Sequence, residues 1–148
     1  RRGGGGAVVL TPGQVVLALV TAVDSDFGTR EYARTINGWF VEALGALGVA
    51  GLAQRGITDL AIGGRKILGT SIYRSRRVLF YQASLLVAND VAVFARYLEH
   101  PYAEPDYRQG RDHAAFCTTL RTEGHDLDPA RVIAAMEPVV ARRLPGLR

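Results

Sequence analysis

The chain has 148 residues, 48% of them hydrophobic and 22% charged, which is enough apolar material for one buried core and too little length for two ordinary domains. Aliphatic residues recur along the whole length, which excludes a disordered chain, and no apolar run approaches the roughly 20 residues that cross a bilayer. A net charge of +4 draws acidic partners, nucleotides or nucleic acid at long range without selecting among them.

Ala7-Val8-Val9-Leu10, the turn residues Thr11-Pro12-Gly13 and the β-branched run from Val15 to Val23 predict a strand, a turn and a second, buried strand. From Arg30 onward, Ala33, Ile36, Phe40, Ala43, Leu44 and Leu47 keep the spacing of one helix face, and Gly48 ends it. Ile57, Asp59 to Ile62 and Ile67-Leu68 are short apolar pieces around Gly63-Gly64, the pair expected at a tight hairpin turn, and Ser71 to Tyr73 extends the second strand. Arg74, Arg76 and Arg77 mark an exposed connection, and Val78 to Val87 has strand character. Val91, Phe94, Ala95 and Leu98 share a helix face. Tyr102 to Gly110 reads as a loop inside the domain. Asp112 is placed to cap a short helix ending at Phe116, and Asp128-Pro129 opens a final helix with Val132, Ile133, Met136, Val139 and Val140 inside. Strands crowd the middle and helices the end, which predicts an α/β or α+β domain built on a mixed sheet with flanking helices.

Two clusters could carry chemistry. Gly3 to Gly6 is a backbone without side chains just ahead of Ala7-Val8, so main-chain groups there can approach a ligand closely. It is neither a P-loop, since no Gly-Lys-Ser/Thr follows, nor a dinucleotide fingerprint, since no helix comes next. The second cluster is Gly64-Arg65-Lys66-Ile67-Leu68-Gly69-Thr70-Ser71. The chain has 17 arginines and one lysine, Lys66. An ammonium rooted beside a hairpin turn, with Gly69 leaving room for a ligand, can neutralise a carboxylate and a phosphate at once. The lone Cys117 cannot form an intramolecular disulfide and fits a reducing compartment. Four residues after His113, it reads chiefly as a buried structural thiol. Three histidines spaced by 13 and 12 residues give no metal-site pattern.

The series Arg2, Gly4-Gly5-Gly6-Ala7-Val8, then Gly56-Ile57-Thr58-Asp59-Leu60, then Gly64 to Ser71 resembles the catalytic domain of lipoate-protein ligases. The resemblance continues through Leu85-Leu86-Val87, Asp90, Tyr107 to His113 and Phe116 to Leu120. It implies a biotin/lipoate ligase-like fold, related to class II synthetases, as one catalytic domain over residues 1–148 that lacks the family's first helix and strand. It further implies an enzyme that activates lipoate, or octanoate, with ATP and passes the acyl group to a lysine of a lipoyl carrier domain of 2-oxoacid dehydrogenase or glycine cleavage proteins. By motif, Gly4, Gly5, Gly6 and Ala7 would line the acyl-adenylate channel, Lys66 would hold the carbonyl and α-phosphate oxygens, and Asp59 would sit beside the adenylate. Gly69, Thr70 and Ser71 complete that binding stretch, and Mg²⁺ would ride on the ATP phosphates. Arg74, Arg76 and Arg77 could receive the carrier or the phosphates. The chain departs from the family at Thr58, usually Asn, and at Tyr81-Gln82-Ala83-Ser84, where a His-His-Gly-Thr sequence is usual.

Related octanoyltransferases, which take the acyl group from acyl carrier protein without ATP, carry a cysteine shortly before the lysine motif, and Leu52 to Arg65 contains none. A basic nucleic-acid-binding module would account for the arginines, but no recognition helix or basic-aromatic stripe supports it. The loop expected of a biotin ligase, of Gly-Arg-Gly-Arg type, is missing. The opening Arg1-Arg2-Gly3 lacks a signal peptide's apolar core, so the expectation is a soluble, cytoplasmic protein.

Overall fold

Alternating burial along Gln14–Ala22 makes this stretch a strand, β1, with one face toward a core. It is followed by α1 (Thr29–Ala46), β2 (Leu52–Arg55), β3 (Asp59–Ile62), β4 (Arg65–Ser75), β5 (Val78–Leu86), α2 (Ala92–Tyr97), α3 (His113–Phe116) and α4 (Pro129–Arg143). A computed structural model describes residues 6–24 and 27–147; Arg2, Gly4 and Gly5 of the glycine motif lie outside the described residues.

Among the described residues five strands form one sheet in the order β1-β5-β4-β3-β2, every neighbouring pair antiparallel. Beside these antiparallel pairs stands one isolated parallel bridge, between Lys66 and Cys117. Gly63 and Gly64 take φ of +56° and +78° between the paired residues Ile62 and Arg65. A two-residue hairpin whose central residues are both left-handed matches the twist of its strands, and glycine adopts that conformation without strain.

One sheet face is dry. Leu68, Leu79, Tyr81 and Leu85 pack with Tyr32, Ile36, Phe40 and Leu44 of α1 and Val132, Met136 and Val139 of α4. Each such apolar side chain removed from water contributes about 1.5–3 kcal/mol. Within that layer lies one polar knot. Asn37, fully buried, donates through Nδ2 to the Thr58 carbonyl at 2.8 Å and accepts from the Tyr81 hydroxyl at 2.6 Å. Thr70 Oγ1 donates to the same carbonyl at 3.2 Å. Burial pushes the Tyr81 hydroxyl's ionisation far up, so it remains a donor.

The other sheet face carries the alternate residues Val16, Ala18 and Val20 of β1, Phe80, Gln82 and Ser84 of β5, and Gly69, Ser71 and Tyr73 of β4. It is largely open, Val20 being 65% exposed. Among the described residues cover is found at one end, where Leu86, Phe94, Phe116 and Cys117 form a small second core with Val9 packed against it.

Several expectations change. Ala7–Leu10 is not a strand: no strand pairs with it among the described residues, and Val8 is 72% exposed. β1, expected to be buried, is an edge strand covered on one face. Ile133 is 44% exposed because α4 turns a narrower stripe to the core than its apolar content suggested. The 102–110 loop contains a single 3₁₀ turn, Asp106–Arg108. Both expected caps form: Asp112 accepts from the Ala115 N–H at 2.7 Å and Asp128 from the Arg131 N–H at 2.8 Å. Among the described residues no helix is long and apolar enough to cross a membrane.

Candidate functional site

The hairpin that roots Lys66 is irregular in one respect. Ala61 lies opposite Lys66, but Leu60 lies opposite Leu68, so Ile67 is an extra residue on β4. Such a bulge breaks strict alternation and re-aims the side chains around it. Ile67 and Leu68 are consequently both buried in the core, and Lys66 shares the open face with Gly69, three residues on. A Cβ built on Gly69 would lie 2.9 Å from both Cε and Nζ of Lys66. The lysine therefore lies across a glycine that leaves it space. Gly69→Ala is expected to push the ammonium aside while shifting stability by less than about 1 kcal/mol, since a flexible side-chain end can yield. Thermal melting combined with the activity assay given below checks this: unchanged activity would show that the placement of the ammonium over Gly69 is immaterial.

Lys66 Nζ is 2.8 Å from Asp59 Oδ1, with side-chain exposures of 27% and 12%. The other carboxylate oxygen, Oδ2, accepts from the Tyr107 hydroxyl at 2.9 Å. Burial first, and the Asp59 charge second, hold Tyr107 ionisation well above the ordinary phenol range, so the hydroxyl donates at neutral pH. The tyrosine reaches the site from a strap running outside the sheet. Its ring lies 5.0 Å from that of Phe116, and a Cβ on Gly56 would meet it at 3.3 Å. Arg111 ties the strap down, donating from Nη2 to the carbonyls of Gly64 at 3.0 Å and Tyr107 at 2.7 Å. Arg108, also buried, lies 4.8 Å over the Phe116 ring and donates from Nε to the Arg111 carbonyl at 2.8 Å.

Cys117 sits directly beside this group, since Thr118 N–H donates to the Lys66 carbonyl at 2.9 Å and fixes the bridge. Burial pushes its thiol up, against the lowering pull of Lys66. A buried, protonated thiol is a poor nucleophile. His113 is held below its usual range by burial and by Arg108, so it is neutral at physiological pH.

The residues named from sequence fall into three groups. Lys66, Asp59, Gly69 and Ser71 share the open face. Gly6 and Ala7 are exposed coil, and nearby Val9 packs at the site's end of that face; Gly4 and Gly5 lie outside the described residues. Thr70 points the other way, under α1, and spends its hydroxyl on Thr58. Arg74, Arg76 and Arg77 lie at the opposite end of β4, and Arg74 is eight residue steps along the strand from Lys66, about 26 Å at 3.3 Å a step. At the β4–β5 hairpin turn Arg74 lies 5.6 Å over the Tyr32 ring and Arg77 is 3.7 Å from Asp24. Tyr107 belongs to a stretch that carries the family resemblance, but nothing in its spacing from Asp59 marks the contact or gives it a place in the site.

The family model for the lipoyl protein ligase A/B catalytic domain matches residues 1–141. No curated protein matches the chain. Among solved structures, the chain is similar to a bi-partite lipoate protein ligase from Thermoplasma acidophilum, studied with its E2 lipoyl domain, at TM-score 0.79 and 22% identity over 98% of this chain and 56% of that one. It is similar to lipoate-protein ligase A bound with ATP at TM-score 0.79 and 23% identity, over 98% of this chain and 57% of that one. A Thermoplasma acidophilum lipoate protein ligase with bound lipoic acid aligns at TM-score 0.79 and 21% identity, again over 98% and 57%. The chain thus spans a little over half the length of these proteins, and identities at this level speak for the fold.

Proposed function

The chain belongs to the lipoyl protein ligase A/B catalytic domain family, and from that premise we propose that it activates lipoate or octanoate with ATP and transfers the acyl group to a lysine of a lipoyl carrier domain. In the first step a carboxylate oxygen of the acid attacks the α-phosphorus of ATP, the bond to pyrophosphate breaks, and an acyl-adenylate forms. In the second the carrier's amine attacks the acyl carbon, the bond to AMP breaks, and the amine's proton is released. Both steps gather negative charge on oxygens around one centre, which is where a fixed ammonium stabilises most. Lys66 is assigned that role and Asp59 the position beside the adenylate.

The observation that carries this reading is the placement of the chain's one lysine across Gly69, on the open sheet face, held by Asp59. The apolar residues of the same face, Val16, Val20 and Phe80, suit an eight-carbon tail, whose burial contributes about 0.8 kcal/mol per CH₂. Mg²⁺ is assigned to the ATP phosphates, the usual mode for an ion that gives up its water reluctantly. For the carrier, a lipoyl domain of 2-oxoacid dehydrogenase or glycine cleavage proteins, Arg76 and Arg77 at the exposed hairpin tip offer a basic landing point. The similar ATP-bound and lipoic-acid-bound structures support the choice of substrates.

Pyrophosphate release from ATP, measured with lipoate, octanoate and biotin in turn, tests the reading. Release that depends on lipoate or octanoate and not on biotin is expected. Acyl transfer from acyl carrier protein without ATP would replace it with an octanoyltransferase, a reaction to which the buried Cys117 contributes no thiolate.

A further inference from the structure

We propose that Tyr107 is a positioning residue for Lys66, acting through the Asp59 carboxylate. This rests on the reading of Lys66 as the group that meets the activated acid, but its geometry stands apart from it. A lysine ammonium on a four-carbon stem has no fixed direction of its own. An aspartate carboxylate is a broad rotor about its last torsion and, with one partner, can swing with the ammonium it holds. Here each carboxylate oxygen has a separate partner, Lys66 on Oδ1 at 2.8 Å and Tyr107 on Oδ2 at 2.9 Å. The tyrosine is the stiff member of the three, its ring set against Gly56 and Phe116 and its backbone tied by Arg111.

The hydroxyl thereby transmits the rigidity of the strap to a flexible cation. Packing alone would be served by phenylalanine, since ring contacts account for Gly56 and Phe116 and only the hydroxyl reaches Asp59. The consequence is that the ammonium is already oriented over Gly69 before ligand enters, and less ordering is needed as charge develops.

The single lysine makes this measurable without catalysis. Acylation by acetic anhydride forms an amide at Lys66 Nζ, with loss of acetate and a proton, and mass spectrometry of the peptide containing residue 66 gives its rate. Tyr107→Phe is expected to raise that rate about fivefold, and Asp59→Asn more, because an amine released from its ion pair is better exposed to the reagent. Tyr107→Phe added to Asp59→Asn should change nothing further, since residues acting through one another are not additive. The melting temperature of Tyr107→Phe should stay within about 3 °C of the parent, as the ring remains. In the pyrophosphate assay the same substitution should lower kcat about tenfold with KM for ATP within about twofold. Labelling of Tyr107→Phe at the parental rate, or effects of the two substitutions that multiply, would overturn the proposal. If the parent releases no pyrophosphate with any acid, the enzymatic reading fails, while the labelling result still decides the role of Tyr107.

Discussion

Replacing Lys66 by alanine is expected to lower lipoate-dependent pyrophosphate release by at least about a thousandfold, while the domain stays folded. The loss is large because charge develops on the acid's oxygens and on the α-phosphate together, and the chain has no second lysine to substitute. The fold survives because Lys66 stands on the open face, 27% exposed, and contributes nothing to the helix-covered core. Its removal leaves Asp59 with the Tyr107 hydroxyl as its remaining side-chain partner, a cost of about 1–3 kcal/mol for a mostly buried carboxylate. Lys66→Arg should fail almost as badly. The guanidinium is a broad planar fork, and the ammonium it would replace already lies within 2.9 Å of where a single Cβ on Gly69 would sit. Parental rates of pyrophosphate release in either variant would remove Lys66 from the chemistry and with it the assignment of the open face as the substrate surface.

What could be read from sequence and what could not divides along a physical line. The Gly63-Gly64 hairpin, the Asp112 and Asp128 caps and the apolar stripe of α1 are local: each depends on a few adjacent residues with strong conformational preferences, and each forms as expected. The pairing of Lys66 with Gly69 was expected from room beside a turn, yet strict strand alternation would put positions three apart on opposite faces. They share a face only because Ile67 bulges, a consequence of how β3 and β4 register across the sheet. For the same reason Thr70, adjacent in the motif, turns away to Thr58. Tyr107 is a tertiary partner of Asp59 across 48 residues, and no periodicity encodes that contact. Arg74, Arg76 and Arg77 looked close to the lysine in sequence, but an extended strand converts eight residue steps into about 26 Å.

The largest loss of stability outside the apolar core is expected from Asn37→Ala, about 3 kcal/mol, seen as a fall in melting temperature of roughly 6–12 °C for a chain of this size. Asn37 is fully buried and links three elements: α1, through its own backbone; β5, through the Tyr81 hydroxyl; and the segment entering β3, through the Thr58 carbonyl. Alanine leaves the Tyr81 hydroxyl without its acceptor in a dry layer and deprives the Thr58 carbonyl of one of two donors, the other being Thr70. Since much of the cost comes from the orphaned hydroxyl, Tyr81→Phe should lose less in the Asn37→Ala background than in the parent. The coupling is therefore itself a measurement, taken from denaturant unfolding of the four proteins in the cycle. A single-variant loss under about 1 kcal/mol, or strict additivity, would mean that water or neighbouring groups replace Asn37 without penalty. Thr58 immediately precedes Asp59, so the knot that α1 ties beneath the sheet also fixes the backbone from which the Lys66 carboxylate partner projects on the other face. Loosening it should therefore raise the acylation rate of Lys66 as well, by a smaller factor than Tyr107→Phe, because the Tyr107 hydroxyl still holds the carboxylate from above.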